Sequence, residues 1–270
     1  MSFLYEIHLH TVQASGCARS PGRDYIARYQ DMGYSGIFVT DHFYNGYSAI
    51  DKKLPWDRWV NGFCRGYEDA LNEGIRRGFD VFFGWEETIE GDDYLVYGLD
   101  KKWLLDHPES KSWTRKKQFE EVKRCGGCIV QAHPFRQYDY IKTISLSLAA
   151  DAVEAGNGGN TQGFDALAYR YSQKSQLPVV AGTDTHNAYD LKKESCFGTY
   201  TDNKLESVHD FINALRNDKK DIRTCSISGV KVPNGRFDLY RNERITLPAV
   251  LYDKHSNRIN INIKDFLEIK

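Results

Sequence analysis

Five short apolar runs along this chain each end in histidine, aspartate or glutamate, and that recurrence constrains the fold more than any other feature. The first is Glu6-Ile7-His8-Leu9-His10-Thr11, where a period of two puts His8 and His10 on one face of a strand and Ile7 and Leu9 on the other. Two neighbouring imidazoles are costly to bury, because each carries a polar nitrogen that needs a partner. The cost falls if both point at a metal; the alternative for this pair alone is a solvated edge strand. Further on, Ser35 to Thr40 delivers Asp41 and His42, and Phe79 to Gly84 delivers Glu86. Cys128 to Ala132 delivers His133, and Val179 to Thr183 delivers Asp184 and His186.

Helical patterns separate these runs. They cover Arg23 to Met32, Asp57 to Arg77, Thr114 to Cys125, a segment capped at Thr161, and Glu206 to Asn217. Strand and helix in turn is the rhythm of a parallel α/β sheet. In a closed or nearly closed parallel barrel the carboxyl ends of the strands converge on one face, where active sites form. Asp92 to Gly98 and Asp151 to Ala155 add strands, and Asp221 to Thr224 a return. The tail holds two β-like runs, Ile245 to Tyr252 and Ile259 to Ile263. With no repeat or linker in view, residues 1–270 are expected to form a single domain.

A formal net charge of -1, with 27% charged and 41% hydrophobic residues, is ordinary for a soluble protein and announces no large nucleic-acid footprint. The start lacks the features of a signal peptide, and no run reaches the roughly 18 apolar residues of a spanning helix. The expected location is therefore cytoplasmic, away from membranes. Six cysteines make neither a disulfide scaffold nor a zinc module. Cys125-Gly126-Gly127-Cys128 closes a helix rather than opening one, so it reads as a Gly-Gly turn and not a redox pair.

Five of the eight histidines stand at strand ends, in company with Asp41, Glu86 and Asp184. That pattern predicts a polynuclear metal site; a buried polar network without metal is the alternative. Mixed imidazole and carboxylate ligands suit manganese, iron or zinc more than magnesium. Two ions about 4 Å apart bridge a hydroxide and hold a phosphate oxygen, so phosphoester hydrolysis is the reaction such a clamp fits best, with amide or lactone hydrolysis able to use similar hardware. Arg136, Arg19 and Arg23 are the candidate partners for a phosphate. His186 or His42 is the candidate proton donor to a leaving group. The loop Gly156 to Asn160 offers amides to an anion or is a plain turn. Tyr44, Tyr47 and Trp56 either line a pocket or pack their loop.

The stretches His8-Leu9-His10-Thr11, Val39-Thr40-Asp41-His42, Gly84-Trp85-Glu86, Ala132-His133-Pro134 and Gly182-Thr183-Asp184-Thr185-His186 resemble, in order, the motifs of the PHP family, the polymerase and histidinol phosphatase superfamily. The resemblance spans about residues 3 to 225. It implies a distorted (β/α)7 TIM-like barrel of PHP type, here with a short C-terminal β-rich tail, two or three Mn, Fe or Zn ions, and phosphoesterase activity. It further implies that His8, His10, Glu86, His133 and Asp184 surround one pair of ions, with Glu86 as the bridge. His42 and His186 then complete a ring around an additional ion, while Asp41 orients its neighbour. Asp41 and His186 are the expected catalytic residues.

Two positions depart from the family's pattern. Ser15 stands where an aspartate or histidine ligand commonly sits, and Asp93 where a ligand histidine does. Aspartate still binds metal, but a neutral hydroxyl is much weaker, so two ions with a weak third are expected. The expected activity is hydrolysis of a small phosphorylated molecule, such as a nucleotide, by a metal-bound hydroxide. A phosphodiesterase or nuclease is the enzymatic alternative, and a non-catalytic metal-stabilised binding module the other.

Overall fold

Short β-branched and aromatic runs form strands in this chain because neighbouring strands satisfy their backbone while helices cover them. A computed structural model describes residues 2–192, 197–217, 223–226, 245–260 and 262–268. Strand β1 (Phe3–Glu6) is followed by helix α1 (Gly22–Asp31) and by β2 (Gly36–Val39), which pairs parallel to β1 with Tyr5 opposite Gly36. Two helices, α2 (Trp56–Phe63) and α3 (Arg65–Arg77), lead to β3 (Asp80–Ile89), parallel to β2. The single helix expected from Asp57 to Arg77 is thus divided at Cys64. Just beyond the break, α3 presses against the loop after β1. A Cβ at Gly66 would lie 1.9 Å from the Thr11 hydroxyl and 2.8 Å from Asp41 Oδ2, so only glycine permits this approach.

Beyond β3 the chain departs from the parallel pattern. Glu90 and Gly91, with φ of 54° and 91°, turn it into β4 (Asp92–Tyr97), which runs antiparallel to β3. Asp92 and Asp93 consequently reach the carboxyl-end face from the amino end of their strand. Helices α4 (Lys101–Asp106) and α5 (Arg115–Arg124) precede β5 (Cys128–Gln131), antiparallel to β4. After β6 (Ile144–Ser147) come β7 (Ala152–Asn157), α6 (Gln162–Ser175) and β8 (Val179–Gly182), with β5, β7 and β8 mutually parallel. Strand β9 (Phe197–Thr201) runs antiparallel to β1, and the Thr199 hydroxyl bonds both the amide and the carbonyl of Ala181 in β8. In the order β9-β1-β2-β3-β4-β5-β7-β8 the strands form a nearly closed, distorted TIM-like barrel. Helix α7 (Val208–Asn217) and β10 (Arg223–Ser226) complete the edge beside β9.

The tail forms a separate small sheet. Strand β11 (Ala249–Tyr252) pairs parallel to β6 and antiparallel to β12 (Arg258–Ile259). The second expected run, Ile259 to Ile263, ends in a helix instead: Asn262 caps α8 (Ile263–Leu267) by accepting from the Lys264 amide. Asp221 and Ile222 of the expected return lie outside the described residues.

One end of the barrel interior is plugged by apolar side chains, including Tyr5, Ile7, Phe38, Phe82, Tyr97 and Phe211. Phe38 sits 4.8 Å from Phe82 and 5.0 Å from Phe211, ring centre to ring centre. Leu9 belongs to a different cluster, with Tyr25, Ile26 and Ile37 beneath α1. Ile7 and Leu9 therefore do not share a face, contrary to the simple alternation. The regular strand stops at Glu6, whose carboxylate accepts from the His8 amide at 2.7 Å and redirects the chain there. Among the described residues no helix is long and apolar enough to cross a membrane.

Candidate metal centre

Past the ends of the named strands the pairing continues just far enough to align the candidate ligands. His10 N donates to the Thr185 carbonyl and Asp184 N to the His8 carbonyl, joining the extensions of β1 and β8. Glu86 N donates to the Asp41 carbonyl and Phe43 N to the Glu86 carbonyl, joining the extension of β2 to β3 itself, which runs on to Ile89. Gly182 lets β8 lie against His8, since a Cβ there would come within 2.7 Å of the His8 Cβ. His133 and Asp184 turn out of their strands with φ of 28° and 52°, a left-handed conformation that non-glycine residues rarely adopt. A residue before proline ordinarily takes an extended conformation, and His133, which precedes Pro134, departs from that rule.

These extensions bring three groups of ligand atoms together, each within 4.8 Å: His8, Glu86 and His133; His8, His10 and Asp184; and His10, His42 and His186. His8 Nδ1 donates to Glu154 Oε1 at 2.9 Å, so its Nε2 lone pair faces inward. His10 Nδ1 donates to Ser15 Oγ at 3.3 Å, leaving its Nε2 turned inward as well. The two Nε2 atoms are only 3.1 Å apart. Around them stand Asp184 Oδ1, 3.1 Å from His10 Nε2, and Glu86 Oε1, 3.4 Å from His8 Nε2 and 3.0 Å from His133 Nε2. Glu86 Oε2 and His42 Nδ1 are 2.6 Å apart, yet both are buried without a hydrogen-bond partner among the described residues. Lone pairs that converge in this way repel one another unless a positive charge lies between them, so the donor set fits divalent ions.

The electrostatics of the individual groups point the same way. Burial pushes the Glu86 carboxyl up, but His42 and His8 outweigh it and hold the group well below the usual carboxylate range. Asp184 is likewise held low, against burial, by His8 and Arg136. His8 and His42 are drawn upward by the carboxylates despite their burial, whereas burial and the adjacent His42 push His10 well down. The cage thus holds its acidic groups ionised and attracts positive charge.

Around this cluster lies an open cavity of about 750 Å³, lined among others by His42, Asp93, Arg136, Tyr138, Tyr140 and His186. Arg136 bridges the ligands to the loop after β7: Nη2 donates to Asp184 Oδ2 at 2.6 Å and to Asn157 Oδ1, and Nε to Asn160 Oδ1. That loop therefore engages an arginine of the chain itself. Arg19 shares the neighbourhood only through its backbone, which donates to the His186 carbonyl, while its side chain is exposed. Arg23 lies outside, paired with Asp69 of α3. Asp93 accepts from Thr88 at 2.6 Å and joins none of the three groups. Asp41 lies beneath the site and does not line the cavity. It accepts from Thr11 N, Thr11 Oγ1 and Ser15 Oγ, and so steadies His10 through Ser15. His186 donates from Nδ1 to the Asp184 carbonyl and remains a third exposed.

Glu154 and Cys17 escaped the sequence analysis. Glu154 orients His8 and also accepts from the His133 amide. An acidic residue in the middle of the apolar run Ala152 to Ala155 was its available signal. Cys17 lines the same cavity as His42 and His186. Burial pushes its thiol up, but the influence of His186 and His42 outweighs it and brings it down to about 7. Tyr44 and Trp56, by contrast, pack against Trp59.

No protein-family model matches the chain, and no curated protein matches it. Solved structures do. A two-domain protein from Bacteroides vulgatus containing a predicted PHP-like metal-dependent phosphoesterase superposes with a TM-score of 0.60 at 15% identity, over 83% of this chain and 65% of that one. The chain thus spans less than two thirds of that protein. A metal-dependent phosphoesterase described for Bifidobacterium adolescentis gives a TM-score of 0.46 at 14% identity, over 67% of this chain and 87% of that one. An amidohydrolase from Chromobacterium violaceum gives 0.44 at 10%, over 68% and 87%. The chain therefore has the fold of PHP-like proteins.

Proposed function

We propose that this chain is a metal-dependent phosphoesterase of the PHP family, acting on a small phosphomonoester. The observation that carries the reading is the convergence of inward-facing imidazole nitrogens and ionised carboxylates, with His8 Nε2 and His10 Nε2 at 3.1 Å, on the floor of an open cavity. His8, His10, Glu86, His133 and Asp184 are the residues to hold ions, with His42 and His186 on the outer side. Bound there, divalent ions supply an activated water at neutral pH and offset the negative charge that develops on a phosphoryl oxygen.

The chain's own residues account for the rest. Arg136 presents its guanidinium at the cavity wall beside Asp184 and is the group to orient a phosphate. A cavity of about 750 Å³ suits a small molecule. Tyr47 and Tyr140, both about two-thirds exposed, flank its mouth, where the organic part of the ester would lie. Glu154 and Ser15 lock the tautomers of His8 and His10 so that both present a lone pair inward. The direct test is phosphate release from a panel of phosphomonoesters and phosphodiesters after loading the protein with Mn, Fe or Zn. Monoester cleavage that a chelator abolishes supports the reading. Preference for diesters turns it toward a phosphodiesterase, and no release with any of the three metals overturns it.

A further inference from the structure

Between β5 and β7 the chain leaves the barrel, and this excursion forms one wall of the cavity through Arg136, Tyr138, Tyr140 and Ile141. The near half of the wall is fixed from the barrel side. Arg136 is bound to Asp184, Asn157 and Asn160, and Tyr138 Oη donates to the Gly159 carbonyl at 2.6 Å. The far half depends on the tail. It runs into β6, and among the described residues β11 is the only strand that pairs with β6, from Ala249 opposite Ile144 to Tyr252 opposite Ser147. On the other side of β6 the Gln131 side chain bonds the Ser145 carbonyl and the Ser147 amide. Gln137 sits within the wall but points at the tail, where its Oε1 accepts from Thr246 N at 2.7 Å and from Thr246 Oγ1 at 2.8 Å. Next to Thr246, Ile245 is buried in one cluster with Phe135 and Ile144. The tail has anchorage of its own. The Arg115 guanidinium lies 4.4 Å from the centre of the Tyr252 ring and pairs with Asp92 at 2.8 Å, while Arg170 of α6 donates to the Leu267 and Glu268 carbonyls at the end of α8.

We propose that the tail is part of the substrate site: Gln137 and Thr246 are positioning residues that fix Tyr140 and Ile141 for the organic part of the ester, while the phosphate is held from the barrel side. The inference rests on the reading of the chain as a phosphoesterase with Arg136 on the phosphate. A loop gains the precision that recognition needs when a rigid scaffold holds it, and the tail sheet is that scaffold for the far half of the wall. Contacts of this kind act alike on bound substrate and on the transition state. Their loss therefore weakens binding and leaves turnover nearly intact. The division of labour also separates the two parts of the ligand, because Arg136 keeps its three partners when the contact to Thr246 is cut.

The test uses the metal-loaded full chain, with 4-nitrophenyl phosphate as substrate and inorganic phosphate as inhibitor. Gln137→Ala, which removes the acceptor for both Thr246 groups, should raise KM by about threefold to tenfold and leave kcat within about twofold. The inhibition constant of inorganic phosphate, which has no organic part, should stay within about twofold of native. Thr246→Val should move KM in the same direction by less, and Thr246→Ser, which keeps the hydroxyl, should restore the native value. A second readout does not depend on turnover: in Gln137→Ala, amide hydrogen exchange should quicken by about threefold or more in peptides spanning 137–147 and stay native in those of β1 to β3. Circular dichroism checks that the variants are folded. The proposal fails if either KM or the exchange in 137–147 stays native in Gln137→Ala. It also fails if the phosphate constant rises in step with KM, or if exchange quickens across the barrel, since either result makes the contact a general support of the fold. Should the native enzyme cleave no phosphoester, the phosphoesterase reading falls, and hydrogen exchange alone then decides whether the tail fixes the wall.

Discussion

The two ends of this barrel's interior are built from the same strands on opposite principles. At one end Tyr5, Ile7, Phe38, Phe82 and Tyr97 fill space with rings and branched chains. A few residues further along β1, β2 and β3, His8, His10, His42 and Glu86 fill it with lone pairs and charge. The first end is stable through dispersion and exclusion of water, and it needs nothing from outside. The second satisfies itself only with a positive charge between its groups. Stability and chemistry are thus separated by less than the length of one strand.

The sharpest way to break that division is to remove an inner ligand. His10→Ala should lower phosphate release by about a thousandfold or more, several kcal/mol of transition-state stabilisation, with loss of bound metal by elemental analysis. Its far-ultraviolet dichroism should be that of the native chain. Phe38→Ala should do the reverse. It should destabilise the fold by about 3–5 kcal/mol in urea unfolding, while the ion count per folded chain stays unchanged. Chelation belongs to the same contrast: removal of metal should abolish hydrolysis and leave the barrel folded, whereas unfolding on chelation would assign the cluster a structural role.

Smaller effects sharpen the boundary. Glu154→Gln keeps the shape beneath His8 but weakens its orienting acceptor, and should reduce metal affinity by roughly 10–100-fold in competition titrations. Asp165, at the start of α6, tests a buried acid outside the cluster. Burial raises its carboxyl to about 8, against hydrogen bonds from Asn160 and the Asn157 amide. The folded chain then keeps a proton that the unfolded chain has shed, so this group's contribution to stability falls as pH rises from about 4 to about 8. Asp165→Asn does not titrate. Its melting temperature relative to the native chain should therefore climb by at least about 2–4 °C across that window, by calorimetry of chelated protein. A constant difference would refute the assignment.

How much of this was legible follows from where each signal lies. The five ligand-bearing strand ends were readable because a buried strand is a local pattern and histidine or aspartate just past it breaks the pattern conspicuously. The direction of β4 was not read, although the Glu90-Gly91 turn between two apolar runs is a hairpin signal. β9 depends on β1, nearly the whole barrel away in sequence, and Phe-Gly-Thr-Tyr-Thr carries little periodicity of its own. Cys17 lies in a loop, where neither period nor spacing announces a side chain's direction. The division of the long helix at Cys64 comes from tertiary contact at Gly66, invisible to a propensity argument.

The left-handed backbone at His133 and Asp184 bears on how such a protein can age. Each residue holds a conformation that costs about 1–2 kcal/mol for a side chain with a Cβ and almost nothing for glycine. Replacement by glycine would relieve that cost. At Asp184 the gain is opposed, because its carboxylate also partners the largely buried Arg136 guanidinium and the change would leave that charge unpaired. Selection for stability alone therefore erodes this centre unevenly, and a lineage that ceases to use its ions should lose His133 before Asp184.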